Sequence, residues 1–237
     1  MLKTEGIVFR ITRFKESSLI LDIYTEAQGL QSFIANGVFS KSSQRLASIL
    51  QLMNLVDLLV YFNENKEIHR IKEVNPSILY QRIPFDIRRS AIGTFILEVC
   101  RKSIKGHQAN PELFQFIKNS FIQLDQTEIL DPFLHFNFLL EFSNFLGFNP
   151  LDNYSKNNDA FDLINGSFVP YERNALHIIN PKDSALLIQL FRKQTPQEFI
   201  KHIEDKRRIL DILILYYKHH IDQFKDIKSI EVFKGIF

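Results

Sequence analysis

Leu19, Leu21 and Ile23 alternate with Ile20, Asp22 and Tyr24, the period-two spacing of a sheet with one face turned to a core. Similar short runs, rich in Ile, Val, Phe and Tyr, occupy 6–14, 31–38, 55–62 and 67–74. The tetrapeptide Glu-Ala-Gln-Gly at 26–29 supplies a turn that ends in glycine, and Asn-Glu-Asn-Lys at 63–66 supplies a second. An open sheet of such short strands would leave edges free to pair with other chains. Five strands within about 75 residues therefore predict a small closed or nearly closed barrel. Between the third and fourth strands, 46–53 carries enough apolar character for one or two helical turns.

After Asn75-Pro76 the period changes, and 83–148 has helical spacing with few breakers. Asn110-Pro111-Glu112 reads as an N-cap, a proline at the first helical position and an acid in the first turn. Asp131-Pro132 repeats that arrangement before a segment carrying Phe133, Phe136, Phe138, Phe142, Phe145 and Phe148. No cation lies between Asp131 and Pro150 to make those rings a base-stacking surface, so they predict a buried central helix. The stretch 149–180 breaks the pattern, and Asn165-Gly166 marks a small hairpin. Helices resume at 181–191, from Thr195-Pro196 to 203, and at 207–221, and a charged tail closes the chain. The expected class is α+β, a barrel over 1–80 followed by a helical domain over 81–237 with a hairpin insertion.

The chemistry of enzymes is hard to find in this chain. Its eight glycines form neither a dinucleotide fingerprint nor a phosphate-binding loop, and no Gly-x-Ser-x-Gly elbow occurs. One cysteine, Cys100, excludes an internal disulfide and a thiolate zinc cage, and its apolar neighbours predict a buried thiol. Asp131 with His135, and His219 with His220, do not supply three convergent metal ligands. The oxygen-rich 152–163 lacks the glycine and terminal acid of a calcium loop. No catalytic residue, metal or cofactor is expected. Nor is there a signal-like start or an uncharged run of the roughly 18–20 residues that would cross a bilayer, so a cytoplasmic protein without a membrane partner is expected.

With 29 basic and 27 acidic residues the net charge is +2, too small for a bulk electrostatic attraction to nucleic acid. Any anion would be held by local clusters. Arg10, Arg13 and Lys15 gather at the end of the first strand, and Lys41 and Arg45 lie in the polar run after the third. If the barrel closes, these five could share a face and contact a phosphate backbone; Glu5, Glu16 and Glu26 dilute them. Charge alone leaves that contact and a solvated face both open. Arg88, Arg89, Arg101, Lys102 and Lys105 form a second group and Lys206-Arg207-Arg208 a third. Arg101 and Lys105, four apart, are candidates to dock an acidic peptide with an apolar end, or are ordinary surface cations.

The order of segments is similar to that of a known family. The Gly6-Ile7-Val8-x-Arg10 start, Glu16-Ser17 before an apolar strand, and Thr25 with Gly29 resemble the amino-terminal domain of RecO, the bacterial recombination mediator. Gly37 before a Ser-Lys stretch, Arg45-Leu46, Leu50-Gln51 and the closing Tyr-Tyr-Lys-His-His run continue the likeness over nearly the whole chain. The resemblance implies an oligonucleotide-binding (OB) barrel, a helical domain and no bond-making catalysis. It also implies binding and annealing of single- and double-stranded DNA, work with RecR, contact with the acidic tail of single-stranded-DNA-binding protein, and help in loading RecA, placing the protein at the nucleoid. Many relatives carry a four-cysteine zinc site after the central helix. The corresponding 149–180 holds no cysteine here, so zinc is expected to be absent and a hydrogen-bonded hairpin to stand in its place. Where relatives have proline and phenylalanine after Leu50-Gln51, this chain has Leu52-Met53. The alternative reading is a protein–protein adaptor whose barrel does not hold DNA.

Overall fold

The computed structural model describes residues 1–39, 44–192, 200 and 202–236. Lys41 and the helix start expected at Thr195-Pro196 lie outside the described residues. The described chain divides into two compact units, Met1–Glu128 and Ile129–Phe237.

The expected α+β architecture is present. Strands β1 (Leu2–Phe14), β2 (Ser18–Thr25), β3 (Gly29–Ala35), β4 (Leu55–Tyr61) and β5 (Ile68–Pro76) close into a barrel of order β1-β2-β3-β5-β4, with β3 and β5 parallel and the other pairs antiparallel. Val8, Leu21, Ile23, Phe33, Leu58 and Val60 fill its interior. Each such side chain contributes roughly 1.5–3 kcal/mol by leaving water. Helix α1 (Gln44–Ile49) packs Leu46, Ala47 and Ile49 against this core.

β1 serves two partners. Its first half pairs with β4 and its second with β2, and a bulge interrupts the second ladder between Val8 and Arg10. The extra residue is Phe9. Val8 stands opposite Ile23 and lies in the barrel core, whereas Arg10 stands opposite Asp22 and Ile11 again packs on the core. Ile7, Phe9 and Tyr24 are outside that core yet fully buried. Helices α2 (Ile87–Ser103) and α3 (Pro111–Gln126) belong to the same unit, and Phe114 of α3 meets Tyr24, which in turn stacks on Phe9. Asn110 caps α3 as expected, accepting from Leu113 N at 3.0 Å, with Pro111 in the first turn.

The chain between barrel and α2 is fastened to the end of α3. Main-chain N–H groups of Gln81, Arg82 and Ile83 all donate to the Asp125 carboxylate at 2.8–3.0 Å. In return, Arg82 donates to the carbonyls of Asp125 and Gln126, and the buried Arg89 to those of Leu124 and Glu128. The carbonyls of Leu124, Asp125 and Gln126 are among the acceptors that a helix end leaves without intrahelical partners. Glu5 of β1 also ties the barrel to this region, accepting from Ser77 and from Lys118 of α3, both at 2.6 Å.

In the second unit, α4 (Leu134–Phe145) buries Phe136, Phe138 and Phe142, with Phe133 buried just before it. It starts later than Asp131-Pro132 suggests. The Asp131 carboxylate accepts from Phe133 N at 2.8 Å, two residues on, and so builds a turn ahead of the helix in place of a cap. A two-stranded hairpin, β6 (Ala160–Asp162) and β7 (Ser167–Val169), occupies the irregular stretch. Asp162 holds its turn through Ile164 N, Asn165 N and the Asn165 amide, Asn153 bridges both main-chain groups of Phe168, and Arg192 grips Asp152 with two bonds of 2.8 Å. Helix α5 (Pro181–Phe191) is capped by Asn180. Helix α6 (Ile203–His220) begins a turn before the expected 207, with Glu204 and Asp205 favourably placed at its positive end. The expected charged tail is instead a helix, α7 (Ser229–Ile236). Its Phe233 is buried edge-on against His135, and that anchor was invisible in a run of alternating charges.

Candidate nucleic-acid interface

The sequence-derived cations are sorted by the fold. Arg10 is turned back on the protein: its Nε lies 2.6 Å from Asp22, whose other oxygen accepts from Ser32 at 2.8 Å. The row Arg10–Asp22–Ser32 thus crosses β1, β2 and β3 as a self-neutralised band. Arg13 and Lys15 are differently placed. The tip of the β1–β2 hairpin, residues 12–17, is exposed, and it is tied to the turn after β3 by Ser18 to Asn36 at 3.0 Å and Val38 N to Ser17 O at 2.7 Å. This brings the Arg13 guanidinium to 5.0 Å from the centre of the Phe39 ring and the Lys15 ammonium to 5.3 Å from that of Phe14. Lys15 holds a left-handed φ of 55°, a conformation that costs a non-glycine residue on the order of 1 kcal/mol.

Phe14 and Phe39 are 36% and 48% exposed, unlike the rings of α4. These two rings lie far in sequence from the dense run of phenylalanines at 133–148. The signal that marks Phe14 is its position between Arg13 and Lys15 at a hairpin tip. Arg45 is exposed in the first turn of α1, six residues beyond Phe39. The structure therefore sets Arg13 and Lys15 beside two exposed rings, leaves Arg45 on a neighbouring element, and pairs the half-exposed Arg10 with Asp22.

Among the helix cations, Arg101 is exposed in the last turn of α2, and Lys102 pairs with Glu98 at 2.7 Å. The helix is capped at Ile104, so Lys105 lies past its end and helical spacing does not set the direction of that side chain. Arg208 is engaged by Asp183 and Asp205. Lys206 and Arg207, with Lys234, rim a small slot of about 120 Å³ with an apolar floor of Phe136, Leu210 and Phe233. His135 also lines it; burial, with Lys206 nearby, pushes the imidazole down to about 3, so the ring is neutral. Cys100 is fully buried, and burial raises its thiol well above the usual range. Among the described residues no group of three His, Cys, Asp or Glu could hold a metal ion, and no helix is long and apolar enough to cross a membrane.

Comparison with known proteins adds a decisive observation. The family model described as Recombination protein O N terminal matches residues 1–79, and that described as Recombination protein O C terminal matches 84–229. The chain belongs to the RecO family. A protein of Bacteroides fragilis named DNA repair protein RecO is 32% identical over 240 residues, covering 99% of this chain and 98% of that protein. One of the same name from Flavobacterium psychrophilum is 30% identical over 244 residues, covering 100% and 99%. One from Porphyromonas gingivalis is 25% identical over 244 residues, again end to end. In this RecO-family chain the barrel is the part matched by the amino-terminal model, and the exposed ring-and-cation cluster sits at one rim of it.

Proposed function

We propose that this RecO-family protein serves DNA repair as a non-enzymatic recombination mediator. It binds DNA at the barrel rim, anneals complementary strands, and works with RecR and single-stranded-DNA-binding protein toward the loading of RecA. The observation that carries the DNA-binding step is the pairing of exposed Phe14 and Phe39 with Arg13 and Lys15. A single strand is gripped by the combination found there: cations for phosphates and open aromatic faces for bases. Neutralising phosphates also lowers the repulsion between strands being paired.

Titration of a labelled single strand at several salt concentrations tests this. Binding should weaken with a slope of about −0.7 per phosphate contact on logarithmic axes, and Arg13→Ala with Arg45→Ala should make that slope shallower by about 1.4. Phe39→Ala should weaken binding about tenfold through lost stacking. Absence of binding at low salt, or binding indifferent to salt, would overturn the reading.

For the acidic tail of single-stranded-DNA-binding protein, the slot rimmed by Lys206, Arg207 and Lys234 is the surface we favour. It adds an enclosed apolar floor to the cations, which a chain end with a carboxylate and an apolar side chain requires. Charge reversal at the rim, Lys206→Glu with Arg207→Glu, is expected to weaken a labelled acidic peptide with an apolar carboxyl-terminal residue about tenfold or more, or about 1.4 kcal/mol. Fluorescence anisotropy reads the change, and an unaltered affinity would remove the slot from consideration.

A further inference from the structure

The barrel has a second concave surface with the same chemistry, at the opposite rim. It is a groove of about 600 Å³ where β4 ends and β5 begins. Tyr61 stands directly across from Arg70 in the β4–β5 ladder, and a register shift between Leu59 and Val60 alters the pairing just before them. Tyr61 and Ile68 are 49% and 44% exposed, and Lys66, Arg70 and Lys72 line the same groove. Neither Lys66 nor Arg70 has an ion-pair partner among the described residues, and Lys72 has only an exposed contact to Glu73 at 3.5 Å. Pairs of that kind hold their charges weakly and leave them available. The nearby acids, Glu64 and Glu67, line a neighbouring hollow with Gln28 and His107, and Lys66 stands on the border of the two.

The two rims are separate. Leu2 pairs with Val60, beside Tyr61, while Phe14 lies at the other end of the same 13-residue strand, about 40 Å away along it. Between them the outer surface of β1 and β2 is interrupted: α3 covers Tyr24, on which the buried Phe9 stacks, and the half-exposed Arg10 is paired with Asp22.

We infer that the Tyr61–Arg70 groove is a second, independent site for single-stranded nucleic acid, so that one barrel holds two strands at once. A base stacks on Tyr61, Ile68 gives an apolar edge, and Arg70, Lys72 and Lys66 take the phosphates. This rests on the DNA-binding reading of the first rim and extends it: two strands held on one small barrel are brought to pairing distance by the protein itself.

Stoichiometry with a single-stranded oligonucleotide of about 6 nucleotides, short enough for one rim, tests the inference. The full chain should bind two oligonucleotides. The variant Tyr61→Ala/Arg70→Ala/Lys72→Ala, whose changes are confined to exposed side chains, should bind one with the remaining affinity unchanged. Its rate of annealing two complementary long strands should fall at least about tenfold. The variant Arg13→Ala/Arg45→Ala should also bind one, through the groove. Circular dichroism confirms that each variant is folded. A single oligonucleotide on the full chain, with the groove variant unchanged, overturns the second site. So does one weakened in parallel by both variants, which would mean a continuous track. An acidic peptide that displaces the oligonucleotide from the groove without affecting the first rim would assign the groove to a protein partner and overturn it likewise. No binding by the full chain would instead overturn the DNA-binding reading itself.

Discussion

Alanine in place of Gly29 is expected to lower the melting temperature by about 6–12 °C. Two independent costs meet at this residue. Its φ of 64° lies in the left-handed region, where a side chain costs roughly 1–2 kcal/mol. A Cβ built there would also stand 2.4 Å from the carbonyl oxygen of Gln108 and 2.9 Å from its carbon. Both are backbone atoms and cannot rotate aside, so the connection between α2 and α3 must move off the hairpin. That movement pulls on the 2.6 Å contact between His107 Nδ1 and the Leu30 carbonyl and on the 2.8 Å bond from Gln115 to Glu26. Together they come to about 3 kcal/mol. Gly37 separates the two costs: its φ is 70°, but none of the described residues comes within 4 Å of an added Cβ. Gly37→Ala should therefore lose only about 1 kcal/mol, or about 2–4 °C. Thermal melts of the two variants decide the matter, and equal shifts would refute the close approach.

Asp125→Ala should be costlier still. The change strips the acceptor from three main-chain N–H groups in a site where Asp125 itself is 3% exposed. Bonds to a charged acceptor contribute about 1.5–3 kcal/mol each, and buried donors left without partners are penalised further, so a loss of about 4 kcal/mol or more is expected. Burial by itself would raise the pKa of this carboxyl; the N–H groups of Gln81, Ile83 and Arg82, with the Arg82 charge, outweigh it and the value is lowered. A carboxyl depressed in the folded state stabilises fully above its unfolded value, about 3.9, and that stabilisation disappears as pH falls through the folded value. Urea unfolding at pH 7 and at a series of values below 4 should show the native chain losing stability in acid. Asp125→Asn should be weaker at pH 7 and less sensitive to acid, because the group that titrates is gone. An acid slope identical in the two proteins would assign the lability to other carboxylates.

How far such features could be read in advance depends on what kind of neighbour creates them. The barrel was legible because alternation in 19–25 and turns at 26–29 and 63–66 are local, and local geometry suffices to place short antiparallel strands. The phenylalanines of α4 were legible as core because no cation accompanies them. Tyr24 shows the limit. Alternation sets it on the outer face, and it is 1% exposed only because a ring almost a hundred residues away lies over it. Arg10 looked like its neighbour Arg13 until the strand register set it against Asp22. Phe14, Phe39 and Tyr61 are the converse: apolar residues that local pattern assigns to strands and cores, yet 36%, 48% and 49% exposed. Charge counting weighted all cations alike, whereas the fold spends some internally and leaves others beside rings.

The bulge at Phe9 works as a phase slip. Upstream of it the even-numbered Val8 points inward; downstream the odd-numbered Ile11 does. A strand without the slip would continue the upstream parity, send the Arg10 guanidinium among Leu21, Ile23 and Phe33, and expose Ile11 to water. The reading frame of the last five residues of β1 is thus set by one surplus residue, and with it which charges the hairpin can present. Loss of the Phe9 codon would remove the surplus residue itself, leaving Val8 and Ile11 inward and Arg10 opposite Asp22 on an unbulged strand that lacks the ring stacked on Tyr24.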